Sequence, residues 1–236
     1  MSKLYLVGVP IGNYDDITLR AINTLKQVDV IVAEDTRKAK RLLDHLQIIP
    51  PNLYSHGSHN EHNSAPEISK MLQEGQSVAL ISDAGMPTIS DPGFLLARQA
   101  TEAGVPVEVI PGVSAVTTAM AISGIAGDKF CFVGFPPRKK GELKSFFSKL
   151  ADYPETIVLY ESPRRIVETL KEGSSILGRG RATCLARELT KTHQEVIRKS
   201  LGDILDELQS RKEVLGEITL VIEGAKSSEK IYTKEI

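Results

Sequence analysis

Cysteine is scarce in this chain of 236 residues: only Cys131 and Cys184 occur. Two thiols exclude a disulfide scaffold and a four-thiolate zinc site. Both lie in apolar, strand-like runs, which reads as free thiols buried in a reducing, cytoplasmic setting. Long apolar runs are missing as well. The longest, such as Leu4–Val9 and Ile218–Ile222, fall far short of the ~20 residues that cross a bilayer. The N-terminus does not read as a secretion signal, because Lys3 leads at once into a short strand-like run and a Pro-Ile-Gly turn. There is no low-complexity tract and no short-period repeat. No G-x-x-x-x-G-K-[ST] element occurs, which argues against a P-loop NTPase. No G-x-G-x-x-G follows the first strand-like run, which argues against a standard dinucleotide site.

What is present is an ordinary globular composition, 41% hydrophobic and 25% charged, long enough for two compact lobes. The net charge is only −1, yet it is unevenly spread. Residues 1–133 carry 10 basic and 14 acidic groups, residues 134–200 carry 14 and 8, and residues 201–236 carry 5 and 8. A basic middle on a near-neutral chain suggests a patch that meets a polyanion; the plainer reading is solvated helix faces.

Short β-branched runs alternate with stretches of helical period. Leu4–Val9, Val30–Ala33, Ser77–Ile81 and Val107–Ile110 read as strands, with helices over Ile17–Gln27, Arg37–Leu46, Glu67–Glu74 and Phe94–Ala103. This alternation predicts βαβ units and a mostly parallel sheet covered on both faces. Asp16 is the expected N-cap of the first helix, and Gly75 and Gly104 stand where C-caps belong. A second cycle places strands at Phe130–Val133, Thr156–Tyr160, Ala182–Ala186 and Glu217–Ile222, and helices at Lys144–Leu150, Arg164–Glu172 and Leu201–Ser210. The expected organisation is a first α/β domain over 1–112, a bridging segment over 113–128, a second α/β domain over 129–224, and a polar tail over 225–236 that frays.

Open α/β sheets bind ligands beyond the carboxyl ends of their strands, and the loops there are the informative ones. They are Val9–Asn13, Glu34–Arg37, Ser82–Gly93 and Pro111–Ala115. In Ser82–Gly93, small residues let a ligand approach backbone amides, prolines hold the loop open, and Asp83 and Asp91 add acceptors. Such a loop suits a ligand with hydroxyls or a positive charge; a turn capped by Asp is the structural alternative. His56, His59 and His62, with Glu61, have spacing that tempts a metal reading. Their Asn- and Ser-rich surroundings favour a polar surface loop, and no metal is expected. Phe135–Gly141 is an aromatic-then-basic turn, joined by the basic loops Pro163–Arg165 and Arg179–Arg181, a pattern that suits phosphate contact with base stacking. Glu161–Pro163 and Arg187–Lys191 are carboxyl-end loops of the second half.

Taken in order, Leu6–Asn13, Glu34-Asp35-Thr36-Arg37, Ser82–Gly93, Ile110–Ala115, Phe132–Pro137, Tyr160–Arg165, Ala186–Thr190 and Gly216–Glu223 closely resemble the ribosomal RNA small subunit methyltransferase I family of the tetrapyrrole methylase superfamily. The resemblance spans about residues 3–224. It implies two α/β domains of the class III S-adenosylmethionine methyltransferase type, with the cofactor in the interdomain cleft. It implies 2′-O-methylation of a cytidine ribose in 16S rRNA, acting on the RNA or the small ribosomal subunit, by a cytoplasmic homodimer with no membrane role. Carried over by similarity, the cofactor site comprises Pro10, Asp83, Ala84, Gly85, Met86, Ile89, Ser114 and Ala115 in the first half. In the second half it comprises Tyr160, Glu161, Arg187, Glu217, Ile218 and Thr219. Candidates for the chemistry are Glu34, Asp35, Glu188 and, were its pKa depressed, Lys191, with Arg37 on a flanking phosphate. Arg138, Lys139, Lys140, Arg164 and Arg165 are the expected RNA contacts. The competing readings are methylation of a tetrapyrrole or other small molecule by the same fold, and a cofactor-sensing module without catalysis.

Overall fold

A computed structural model describes residues 2–225; the expected tail falls, from residue 226 on, outside them. The chain divides into two compact units after Ser114.

The first unit is built on five strands, β1 (Leu4–Val7), β2 (Val30–Ala33), β3 (Leu53–Ser55), β4 (Val78–Ile81) and β5 (Val107–Ile110). They lie in the order β3-β2-β4-β1-β5, every pair parallel. Helices α1 (Leu19–Gln27), α2 (Thr36–His45), α3 (Glu61–Gln73) and α4 (Phe94–Glu102) connect them. The period of two sorts the strand side chains between two cores. Ile31, Ala33, Ala79 and Ile81 pack with Leu25, Leu42 and Leu43 from α1 and α2. Val30, Val32, Val78 and Leu80 pack with Ile68, Leu72 and Leu96 from α3 and α4. Burial on both faces is why these strands read as unbroken apolar runs.

The first helix corrects the sequence reading. Its N-cap is Thr18, whose hydroxyl accepts the Ala21 N–H at 3.0 Å. Asp16 instead closes a 3-10 turn over Tyr14–Asp16. Gly75 and Gly104 do follow the ends of α3 and α4, at φ +100° and +72°. Helix α3 begins six residues before its expected start and takes Pro66 inside it.

The second unit holds β6 (Phe130–Phe132), β7 (Thr156–Glu161), β8 (Ala182–Arg187), β9 (Glu195–Ser200) and β10 (Ile218–Ile222), with helices α5 (Ala115–Ser123), α6 (Lys140–Leu150), α7 (Ile166–Leu177) and α8 (Leu201–Ser210). The order is β6-β7-β10-β8-β9. Only β6 and β7 run parallel; β10 is antiparallel to both neighbours, and β9 to β8. The expectation of a mostly parallel sheet therefore holds for the first unit alone. On one face, α6, α7 and α8 bury Phe147, Leu170 and Ile204 against Leu159, Leu185 and Leu220. Helix α5, expected in a bridge, packs on β7, β8 and β10.

Candidate functional site

In the first unit the connections from β1 and β4 leave these adjacent strands toward opposite faces of the sheet. Such a switch point opens a crevice beyond the strand ends. The two loops are stitched there by the Val9 N–H to Gly85 carbonyl bond at 2.9 Å and its reciprocal at 3.0 Å. The loop after β5 closes in from the other side. A Cβ on Gly8 would lie 2.7 Å from the Gly112 Cα and 2.6 Å from the Met86 sulfur, so only glycine fits. Pro10 and Gly85 are buried, Ala84, Met86, Ser114 and Ala115 half-buried, and Ile89 exposed.

The same edge carries the acidic tetrad. Asp35 caps α2 by accepting the Arg37 N–H at 2.8 Å, and its carboxylate also takes the Arg37 guanidinium through Nε (3.1 Å) and an Nη (2.8 Å). These bonds hold the Asp35 pKa far below the usual carboxylate range. Asp83 accepts the Asp35 N–H at 3.1 Å and the Lys38 ammonium at 2.6 Å. Glu34 differs. It is half-buried, and burial first, then the Asp83 charge, push its pKa up.

The histidine loop departs from expectation. His56 is wholly buried, because its N–H continues the sheet to the Ala33 carbonyl and its Nδ1 meets the Ser64 hydroxyl at 2.8 Å. Burial lowers its pKa. Glu61 accepts the N–H groups of Gly93 (3.0 Å) and Leu95 (3.2 Å) at the start of α4. His59 and His62 are exposed.

In the second unit the strand register gathers the expected residues across three neighbours. Thr219 faces Tyr160 and Ala186, and Ile218 faces Glu161 and Arg187. Glu161 is buried; it accepts the Ser162 N–H at 2.7 Å and the Thr169 hydroxyl at 2.5 Å. Arg187 donates to Glu195 (2.9 Å) and to the Leu215 carbonyl (3.0 Å). Lys191 reaches Glu188 and Glu217, each at 2.9 Å, and the Glu188 carboxylate also takes the Glu217 N–H at 2.8 Å. Burial opposes the charge on both side chains, yet their bonds prevail: Glu188 is lowered and Lys191 raised. The condition on Lys191 as a base, a depressed pKa, is therefore not met.

Arg165 is also a correction. Its guanidinium donates to the Pro136 carbonyl (3.2 and 3.1 Å) and the Pro137 carbonyl (2.7 Å), which engages it within the protein. Arg138, Lys139, Lys140 and Arg164 are exposed. One signal lay beyond sequence reasoning. Of the five non-glycine residues with positive φ among those described, Thr88 and Ser90 lie in the loop after β4, and Glu188 and Thr190 in the loop after β8. Backbone held in this region persists only where its surroundings enforce it, and it clusters at functional sites.

The profile of the tetrapyrrole (corrin/porphyrin) methylases matches residues 3–205. A protein named ribosomal RNA small subunit methyltransferase I from Thermotoga maritima is 44% identical over 224 residues, which covers 95% of this chain and 99% of that one. Its namesake from Bacillus subtilis is 43% identical over 229 residues, covering 97% of this chain and 77% of that one. The chain belongs to the ribosomal RNA small subunit methyltransferase I family, within the tetrapyrrole methylases. Among solved structures, the methyltransferase CobJ matches with a TM-score of 0.72 at 20% identity, covering 98% of this chain and 97% of its own. Uroporphyrin-III C-methyltransferase from Thermus thermophilus, complexed with S-adenosylhomocysteine, matches at 0.63 and 19% identity, covering 93% and 97%. These two likenesses establish the tetrapyrrole methylase fold. As a family member the chain is an S-adenosylmethionine-dependent methyltransferase. The loops at the β1–β4 switch point fit such a donor chemically. They combine small residues and main-chain amides with apolar Pro10, Met86 and Ile89 and the acceptor Asp83, whose charge is met by Lys38 of α2.

Proposed function

We propose that the protein transfers the methyl group of S-adenosylmethionine to the ribose 2′-hydroxyl of a cytidine in 16S rRNA, on the RNA or the small ribosomal subunit. The observation that carries this reading is the match, over nearly the whole of this chain, to relatives named for the small-subunit RNA. Pro10, Asp83, Ala84, Gly85, Met86, Ile89, Ser114 and Ala115 hold the donor from the first unit. In the second unit, Tyr160, Thr219 and the Glu188–Lys191–Glu217 group are the candidate binding residues, and Glu161 and Arg187 brace the strand ends on which these stand.

When bound, S-adenosylmethionine supplies a methyl group already activated on a sulfonium sulfur, so the protein chiefly orients the acceptor. A ribose hydroxyl is a weak nucleophile until its proton has somewhere to go. Glu34 is the carboxylate that would take that proton, becoming neutral as the hydroxyl oxygen accepts the methyl group. Asp35 and Glu188, held ionised by their partners, are poor proton acceptors. Arg37, 84% exposed beyond its bond to Asp35, is placed to meet a phosphate beside the target ribose.

The test is incubation with methyl-labelled donor and unmethylated small ribosomal subunits or free RNA, followed by alkaline hydrolysis. Label retained in an alkali-resistant dinucleotide is the expected result, because a 2′-O-methyl group blocks cleavage at that bond. Label in a base, in a small product or nowhere overturns the proposal. The basic turn that begins at Arg138 favours RNA over a tetrapyrrole substrate.

A further inference from the structure

We propose that Phe135 is a stacking platform for one unpaired nucleotide of the substrate, and that Arg165 holds this platform in place without touching RNA. The inference rests on the RNA reading above and extends it to how a base is gripped.

After β6, the Gly134 carbonyl still accepts the Tyr160 N–H at 3.0 Å, and Gly134 then turns the chain at φ +65°. Phe135 emerges 56% exposed, whereas Pro136 behind it is buried. The exposed ring is braced from within. Its centroid is 5.5 Å from that of Tyr160, which in turn meets Phe132 at 4.8 Å. The backbone beneath is equally fixed. Pro136 and Pro137 lock their own φ angles, and the Arg165 guanidinium, itself 22% exposed, ties both their carbonyls. A ring held so firmly has little conformational freedom left to lose when a flat partner lands on it. More than half of the residue nevertheless stays in water, where further burial would stabilise it.

The surroundings identify the partner. Arg138 and Lys140 follow within five residues and are exposed; Lys139 is 83% exposed beside Glu142. A fixed aromatic face next to cations is the arrangement that binds single-stranded nucleic acid, the ring taking a base and the cations the flanking phosphates. Bases within an RNA helix are already stacked, so the ring needs a nucleotide that is unpaired or splayed out.

The experiment measures methyl transfer to unmethylated small subunits and donor affinity by calorimetry, for the wild type and for Phe135→Ala, Phe135→Leu, Phe135→Trp and Arg165→Lys. Removing one stacked base raises the KM for RNA roughly ten- to a hundredfold. Phe135→Ala and Phe135→Leu are expected to show this with donor affinity unchanged, and Phe135→Trp to restore binding. Arg165→Lys keeps the charge but gives up the two-carbonyl fork, and is expected to raise KM as well. An unchanged KM in Phe135→Ala, or leucine serving as well as phenylalanine, overturns the platform. Wild-type-like behaviour of Arg165→Lys overturns the positioning role. If the wild type itself transfers no methyl to RNA, the RNA reading falls, and this inference falls with it.

Discussion

Glu34, Asp35 and Asp83 crowd the ends of β2 and β4 with Lys38 and Arg37, and their bonds decide which can receive a proton. Asp35 is tied to Arg37 and Asp83 to Lys38. Glu34→Gln is therefore expected to lower kcat by about 10²–10⁴-fold with donor affinity intact; single-turnover rates and calorimetry separate the two, and an unaltered kcat removes Glu34 from the chemistry. A base works only when deprotonated, and burial and Asp83 raise the Glu34 pKa. The acidic limb of the kcat profile is accordingly displaced toward higher pH than an unperturbed glutamate would give. Lys38 acts in the opposite sense, drawing that pKa down. Lys38→Met, which also leaves Asp83 uncompensated, is expected to move the limb to higher pH, and a shift to lower pH would contradict the assignment. Sequence alone named the tetrad but left the base open, because the choice depends on burial and on Asp83, nearly fifty positions away. His56 was misread for the same reason. A histidine among Asn and Ser reads as surface, yet its N–H bond to the Ala33 carbonyl extends the β2–β3 pairing past Ser55 and draws it inward.

At the level of elements, most helices and four of the five first-unit strands were legible because hydrophobic period is a local signal. Strands β3 and β9 were not. The first has three residues, none of them buried, and the second is a polar edge strand, Glu-Val-Ile-Arg-Lys-Ser. Besides its antiparallel pairing with β8, β9 is tied to α8 by a charge network. Glu195 accepts from Arg187 on β8 (2.9 Å) and from Arg211 beyond α8 (2.9 and 2.7 Å), while Glu207 on α8 binds Arg211 (2.6 Å) and Lys199 on β9 (2.8 Å). Arg211 foremost, then Arg187, lower the Glu195 pKa to about 2. A depressed carboxylate stabilises the fold above its unfolded pKa and loses that contribution as pH falls through the folded one. The window therefore runs from about 4.5 down to about 2 and is worth on the order of 2 kcal/mol. Urea titrations are expected to show Glu195→Gln less stable at pH 7 by that order, with the gap to wild type closing between pH 5 and pH 2. Parallel curves would show that the network does not link β9 to α8.

For the molecule as a whole, the two-cycle organisation was readable because each βα repeat announces itself, whereas strand direction in the second unit was hidden: β10 pairs with β7 and β8 from far along the chain. The charge pattern poses a comparable question of local against global. A net charge of −1 gives little general attraction for RNA, yet residues 134–200 carry an excess of six positive charges. If attraction were global, any three neutralisations would act alike. If it is local, only those at the interface release counterions on binding. Replacing Arg138, Lys139 and Lys140 by Gln takes the net charge from −1 to −4, and so does replacing Lys26, Lys70 and Arg98, which stand exposed on α1, α3 and α4. The two triple variants thus match in total charge. The slope of log affinity against log salt is expected to flatten by about 0.7–0.9 for each phosphate no longer neutralised in the first variant and to stay as in the wild type in the second. Equal flattening in both would reduce the basic turn to a contributor to overall charge, and an unchanged slope in the first would remove it from the RNA interface.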